Sequence, residues 1–231
     1  MISLFNGLTE KDKSYAVRDL IHDSTPRPAF FLLVGLSVLM ATLGLAIDNA
    51  SVVIGSMLLA PILSPILSLS LGIVMADGAL LLRSAKTIFY SGILGAGLAF
   101  IATIFLSYPF GEEVLSRTEP SLTYFAIAFI AGFAVAFARV KPDMSESIPG
   151  IAISVALIPP LAVVGMGLAR FDWQVASGAF LLFITNIVGI VFATMIVFSL
   201  MNFYIKRGIA GAAMTKEDRE LKKELSAKEN D

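Results

Sequence analysis

Two prolines interrupt an otherwise apolar stretch early in the chain, and this interruption limits what the chain can fold into. The stretch runs from Ser51 to Gly72 and contains Pro61 and Pro65 beside several serines, Ser56 among them. Its apolar character is typical of a helix that crosses a membrane. A proline, however, removes a backbone donor and clashes with the carbonyl one turn back. Hydrocarbon supplies no water to the freed carbonyls, so they must face another helix, a hydroxyl or an aqueous cavity.

A second interrupted stretch lies later, between Gly150 and Ala169, and is centred on Pro159 and Pro160. Two interrupted hydrophobic segments in corresponding halves of a chain are typical of the central site of a transporter. This pair of stretches carries most of the functional argument.

The composition indicates a polytopic membrane protein. Hydrophobic residues make up 57% of the 231 residues and charged residues 15%, whereas a soluble domain carries about 25% charge. The net charge of −1 disfavours a nucleic-acid partner. There is no cysteine and a single histidine, His22, before the first apolar run. We therefore expect no disulfide, no metal site and no cofactor, and any bound ion would lie on oxygen ligands or backbone donors.

The predicted fold is an all-α integral membrane protein with six transmembrane helices, each long enough for a hydrocarbon core of ~30 Å. A cytoplasmic N-terminal segment (1–28) precedes the first transmembrane half (29–107), and the second half (121–204) is followed by a charged cytoplasmic tail (205–231). The predicted spans are Ala29–Ile47, Ser51–Ala76, Ser84–Ser107, Ser121–Ala138, Ser147–Ala169 and Val175–Tyr204.

The basic residues predict the orientation. Fifteen of the seventeen lysines and arginines lie in the N-terminal segment, the second and fourth loops and the tail. Only Arg117 and Arg170 fall on the other side. Because cytoplasmic loops are enriched in basic residues, both termini are expected in the cytoplasm of a cell whose membrane the chain crosses several times.

Polar segments flank the spans. Thr9 followed by Asp12 predicts a capping box at the start of a short helix, which would rest on the membrane surface or simply lead into the first span. The side chains that would face this surface are those of Tyr15, Leu20 and Ile21. In the tail, Gly208 and Gly211 predict a hinge before a charged helix that starts at Thr215.

An internal repeat relates the two halves. At an offset of 98 residues Pro61 aligns with Pro159, Ser56 with Ser154 and Asp48 with Glu146. Further along, the offset is 95 and pairs Gly72 with Gly167 and Asp77 with Asp172. Each half holds three spans, an odd number, so the halves would insert in opposite directions as a 3+3 inverted repeat with two proline-broken helices.

The two interrupted motifs resemble a known family. VIGSMLLAPILSPI (from Val53) and GIAISVALIPPLAVVG (from Gly150) are similar to VIGAMLIAPLMSPI and GVAIAVALVPPLAVVG in prokaryotic uncharacterised hydrophobic membrane-domain proteins, the domain-of-unknown-function family three-eight-nine. Ser56 stands where alanine is expected in that pattern. The resemblance implies a multi-span helical bundle and no known substrate.

Small polar residues beside the breaks are the candidate substrate ligands, because freed carbonyls and hydroxyls can hold a cation and half-helix N-termini can attract an anion. Asn186 is the most polar residue deep in a span. Its alternative role is a structural hydrogen bond between packed helices. Asp48 and Glu146 are candidate entry charges. The candidate substrate-binding residues are Gly55, Ser56, Pro61, Ser64, Pro65, Ser91, Ser154, Pro159, Pro160 and Asn186.

The leading functional hypothesis is a small transporter or channel for a monovalent ion or small solute, with its site between the two broken helices. The alternative is a non-transporting scaffold or lipid-binding membrane protein, in which the breaks only shape packing. The spans lack acids, bases and metal ligands at depth, which disfavours an enzyme. A smooth stripe at Gly92, Gly95 and Gly97 permits close helix approach, either within one protomer or between copies, and we expect a homo-oligomer.

Overall fold

The computed structural model describes residues 9–106, 109–141 and 157–229, and this part of the chain is helical with no β-strand. The helices are α1 (Glu10–Asp23), α2 (Pro28–Ala46), α3 (Ala50–Leu59), α4 (Leu63–Val74), α5 (Gly78–Ile104), α6 (Glu112–Leu115), α7 (Leu122–Val140), α8 (Ile158–Ala169), α9 (Trp173–Leu200) and α10 (Arg207–Glu229), with a 3-10 helix at Phe203–Lys206 before the last.

Four of the described helices, α2, α5, α7 and α9, are long and apolar enough to cross a membrane. Helices α3 and α4 pass the same test together and meet at a bend of 55°. Helix α8 is apolar but shorter. These helices make the chain a membrane protein. Most of the first half of the predicted fifth span, Ser147–Ala169, lies outside the described residues, and α8 forms its second half.

Three of the described helix junctions share one turn, in which a hydrogen-bonded helix end is followed at once by a side-chain N-cap. At the junction of α4 and α5, Ala76 adopts a left-handed conformation (φ 50°), and the N–H of Asp77 donates to the carbonyl of Gly72 at 2.9 Å. The Asp77 carboxylate then accepts from the N–H groups of Ala79 and Leu80, at 3.0 and 3.1 Å. A Schellman end thus leads directly into an N-cap.

The same turn recurs 95 residues later, at the junction of α8 and α9. Phe171 is left-handed (φ 56°), the N–H of Asp172 donates to Gly167 at 2.9 Å, and the Asp172 carboxylate caps α9. A Cβ on Gly167 would lie 2.7 Å from the backbone nitrogen of Ala176. Glycine is required there because the next helix passes so close.

A third copy of the turn joins α2 to α3. Asp48 is the left-handed residue (φ 54°), and the N–H of Asn49 donates to the carbonyl of Gly44 at 2.9 Å. The Asn49 side chain then caps α3 by accepting from the N–H of Val52 at 3.2 Å. Chain reversal at these junctions therefore depends on a glycine and, five residues later, an Asp or Asn.

Helix α1 buries its apolar face against the protein. Its predicted capping box is confirmed, since Thr9 and Asp12 bond each other's backbone N–H groups. The placement of its apolar face on the membrane is wrong for Leu20 and Ile21, which are fully buried, while Tyr15 is 68% exposed. Helix α1 contacts α4, α7 and α10. An apolar helix face fits a groove of the protein as well as it fits a bilayer.

One continuous helix covers Arg207–Glu229 of the tail, so the predicted hinge at Gly208 and Gly211 is wrong. Both glycines lie in the first turns of α10, and a Cβ at either would meet open space. Ion pairs tie α10 to the rest of the chain: Arg27 lies 2.7 Å from Glu217, which is buried. These contacts outweigh the helix propensity of two glycines, each about 1 kcal/mol poorer than alanine.

Candidate substrate site at the broken helix

The break between α3 and α4 lies at Pro61, as the sequence predicts. Helix α3 ends at Leu59, and Ala60 is extended (φ −86°, ψ 120°). Pro61 has no N–H to continue the helix, and its carbonyl accepts from the N–H of Ser64 at 3.2 Å as α4 begins. The bend of 55° follows from these lost helical bonds.

Ser56, before the break, is fully buried and satisfied within the bundle. Its hydroxyl donates to the carbonyl of Val53 at 2.6 Å, and its own carbonyl accepts from the hydroxyl of Ser37 on α2, also at 2.6 Å. Gly55 beside it faces Met40, whose Cε would lie 3.2 Å from an added Cβ. In this conformation Ser56 joins α2 to α3 through its backbone.

After the break, Ser64 and Pro65 occupy the first turn of α4. The Ser64 hydroxyl accepts a hydrogen bond from Arg139 at 3.4 Å. Arg139 lies in the last turn of α7 and is largely buried, with 14% of its side chain exposed. From the sequence, Arg139 is one of the basic residues that predict the orientation, and no contact with the break is predicted for it. Its position in the last turn of a 19-residue apolar helix was the available signal.

Arg139 also binds two carboxylates of α1. It lies 3.4 Å from Asp19 and forms a second ion pair with Asp23. Burial raises the pKa of Asp19 above its ordinary value, the Arg139 guanidinium opposes this rise, and the neighbouring Asp23 carboxylate adds to it. One guanidinium thus connects α1, α4 and α7 beside the break.

Pro159 and Pro160 lie in the first turn of α8 and are buried. Proline is well accommodated there, because the first N–H groups of a helix have no partner within it. Helices α4 and α8 each contain 12 residues, and their first residues are 95 positions apart in the sequence. This register pairs Pro65 with Pro160, a shift of three from the predicted pairing of Pro61 with Pro159. The predicted site residue Ser154 and the predicted entry charge Glu146 lie outside the described residues.

Ser91 and Asn186 lie on α5 and α9. Ser91 is fully buried and donates to the carbonyl of Thr87 at 2.8 Å. Asn186 is 3% exposed. Helices α4 and α8 each contact both α5 and α9. The helices that carry Ser64, Ser91, Pro160 and Asn186 are therefore joined by packing contacts.

Asp48 has a structural partner. Its carboxylate accepts from the backbone N–H of Glu113 at 2.8 Å and so caps α6, whose N-cap Gly111 leaves room for it. On the same end of the bundle, the guanidinium of Arg170 donates to the carbonyl of Leu106 at 3.3 Å. An entry charge at Asp48 would act in addition to this cap.

These features define an α-helical membrane protein with an apolar segment broken by proline. The family model described as domain of unknown function DUF389 matches residues 57–192, and the chain belongs to this family, as the paired motifs predict. An uncharacterised protein of Methanocaldococcus jannaschii is 32% identical over 169 residues, which cover 73% of this chain and 52% of that protein. The chain thus spans about half the length of this relative. No solved structure shows a significant match.

Proposed function

We propose that this chain moves a monovalent ion or a small neutral solute across the membrane, through a site between the two proline-interrupted segments that end in α4 and α8. The observation that carries the proposal is the 55° break at Pro61 within a segment apolar enough to span. Backbone that leaves the helix at membrane depth is tolerated where it is buried in protein or lines a cavity. Transporter sites are built from such discontinuous helices.

An inverted 3+3 repeat is part of this proposal. Helices α4 and α8 have equal lengths, and α5 and α9 begin 95 residues apart at the same Asp-capped turn. Contacts across the halves are also matched, because α4 packs on α9 and α8 packs on α5. Three spans in each half would give the halves opposite directions. The proline-rich first turns of α4 and α8 would then face each other near the middle of the membrane.

The proposed orientation, with both termini in the cytoplasm, is supported by charged groups that meet in space. Arg83, at the start of α5, lies 2.7 Å from Asp218 of α10. Arg139 of α7 binds α1, and Lys206 lies 2.5 Å from Glu10. The segments richest in basic residues therefore converge at one end of the bundle, which the positive-inside rule assigns to the cytoplasm.

The side chains near the break favour a substrate of low charge, because the Arg139 guanidinium beside Ser64 is already paired with the carboxylates of Asp19 and Asp23. The candidate ligands are backbone carbonyls, the hydroxyls of Ser56, Ser64 and Ser91, and the Asn186 amide. A divalent cation such as magnesium gives up its water reluctantly to neutral ligands. Helix dipoles, at about 0.3–1 kcal/mol each in exposed settings, hold a multiply charged anion poorly. Asp48 and Glu146 would then act as entry charges that favour cations.

The test is flux into proteoliposomes that contain the purified full-length chain, measured against a panel of monovalent ions and small neutral solutes. Pro61→Ala should restore helical bonding at the break and lower the flux at least tenfold. Pro120→Ala, at the end of the loop before α7, is the matched control and should leave flux unchanged. Absence of flux for every solute, or full flux in Pro61→Ala, would refute the proposal.

A scaffold or lipid-binding role is the second candidate, and one observation favours it. The hydroxyls of Ser56 and Ser91 donate to carbonyls of their own helices, which is what packing alone requires. A homo-oligomer is proposed for either role: Gly95 packs against Leu161, whereas an added Cβ at Gly92 or Gly97 would meet open space. Co-purification of one lipid class with no flux would support the second candidate.

A further inference from the structure

Helix α1 lies on the part of α4 that directly follows the break. The hydroxyl of Ser68 donates to the carbonyl of Leu20 at 3.1 Å, and Ser68, Leu20 and Ile21 are all fully buried. The carbonyl of Ile21 accepts from the hydroxyl of Thr25 at 2.7 Å. The last turn of α1 therefore covers the first turns of α4 with its backbone as well as its side chains.

Arg139 secures this contact from the other side. Its guanidinium bonds Ser64 of α4 at 3.4 Å while it pairs with Asp19 and Asp23 of α1. No other described residue forms an ion pair with Asp19. A single side chain on α7 thus holds α1 against the residue that stands three positions after Pro61.

The outer face of α1 is polar, so the helix has two different surfaces. Exposed side chains recur at Lys11, Tyr15, Arg18 and His22, on the side opposite Leu20. A groove of about 410 Å³ separates part of this face from α10. Such a helix can leave its place for water more readily than a transmembrane helix can, since only its inner face is apolar.

We infer that α1 is a releasable cover over the break in the second span, and that Arg139 is the latch that holds it. Docked as described, α1 closes the cytoplasmic approach to Ser68, which is fully buried, and narrows the approach to Ser64, which stays partly exposed. Released, it leaves these hydroxyls and the start of α4 open to the cytoplasm. This inference rests on the proposed function in one respect: the cover regulates flux only if flux occurs at the break.

A cysteine introduced beneath α1 tests the cover without any substrate, because the chain has no cysteine of its own. Ser68→Cys in the full-length chain should react slowly with a water-soluble maleimide. Adding Arg139→Gln should speed this reaction at least tenfold. Ser70→Cys is the matched control: Ser70 is equally buried on α4 but bonds only to Ile66 of its own helix, and its reaction should stay slow in both backgrounds.

Equal rates for Ser68→Cys with and without Arg139→Gln would overturn the inference. Equal acceleration at Ser70→Cys would also overturn it, since it would indicate general loosening of the bundle. Asp23→Asn provides a milder second release if Arg139→Gln does not fold, and it should accelerate labelling at Ser68→Cys only.

The flux assay separates this inference from the proposed function. If Arg139→Gln raises both labelling and flux, the cover regulates the pathway. If labelling rises while no solute crosses in any variant, the transport function fails and the releasable cover stands. If flux is present and labelling does not change, the cover fails and the transport function stands.

Discussion

Gly165 of α8 lies directly against the backbone of α5, and replacing it with alanine tests how tightly the two proposed halves pack. An added Cβ would overlap the carbonyl oxygen of Ala96 and lie 2.6 Å from the Cβ of Ala99 and 2.8 Å from the nitrogen of Phe100. Ordinary carbon contacts are at about 3.5–4.0 Å. The helices would therefore have to separate by about 1 Å.

Two opposing terms set the size of the effect. Helix propensity favours alanine over glycine by about 1 kcal/mol, whereas overpacking a close contact costs about 1–3 kcal/mol. Because the obstacle is helix backbone and not the end of a side chain, we expect a cost at the upper end and a net loss of about 2 kcal/mol for Gly165→Ala. Gly92→Ala on α5 adds its Cβ to open space, so it should keep the stability or raise it.

The assay is thermal unfolding of the purified chain in detergent, and the measured quantity is the fraction that remains monodisperse after heating. Stability changes of 1 kcal/mol shift Tm by about 2–4 °C in chains of this size. Gly165→Ala should therefore melt at least about 5 °C below Gly92→Ala. A Gly165→Ala variant as stable as Gly92→Ala would refute the close approach of α8 and α5.

Three further outcomes are expected. In intact cells, a cysteine at Lys223 should resist a membrane-impermeant thiol reagent while one at Glu112 reacts, and external labelling at Lys223 would reverse the orientation. Asp77→Ala and Asp172→Ala should each cost about 1 kcal/mol through loss of an N-cap, measured by thermal unfolding; unchanged Tm values would contradict the shared turn. Because burial raises the pKa of Asp19, the folded chain binds this proton more tightly than the unfolded chain. The stabilisation from this group is complete below its ordinary pKa of 3.8 and is lost as pH rises through the raised pKa. Asp19→Asn should thus be at least as stable as wild type at pH 7, with an advantage that shrinks toward pH 4; lower stability at pH 7 would contradict this.

Much of the helical framework could be predicted from the sequence, because apolar length and proline chemistry act locally. The first span, the break at Pro61 and the capping box at Thr9 follow from such local rules. The docking of α1 did not, since the apolar face at Leu20 suits a membrane surface and a protein groove equally. The continuous α10 depends on distant ion pairs such as Arg27 with Glu217, which no local pattern reveals.

The candidate site was predictable only in part. The sequence indicates Ser56 and Ser64 as polar groups beside the break, and the structure places Ser64 in contact with Arg139. The sequence could not indicate that Arg139 and Asp19 meet there, because only tertiary packing brings together two residues 120 positions apart. The prediction for Ser154 concerns residues outside the described part of the chain.

The contacts of α1 also set an order for biogenesis. Translation delivers α1 before the elements that hold it: Ser68 comes next, Arg139 follows much later, and α10, which also packs on α1, comes after both. Until α4 and α7 have left the ribosome, the apolar face at Leu20 and Ile21 has none of the partners that bury it in the folded protein. Closure of this end of the molecule therefore waits until these later elements have been made, and a nascent chain halted before α7 would present that face to the membrane or to a chaperone.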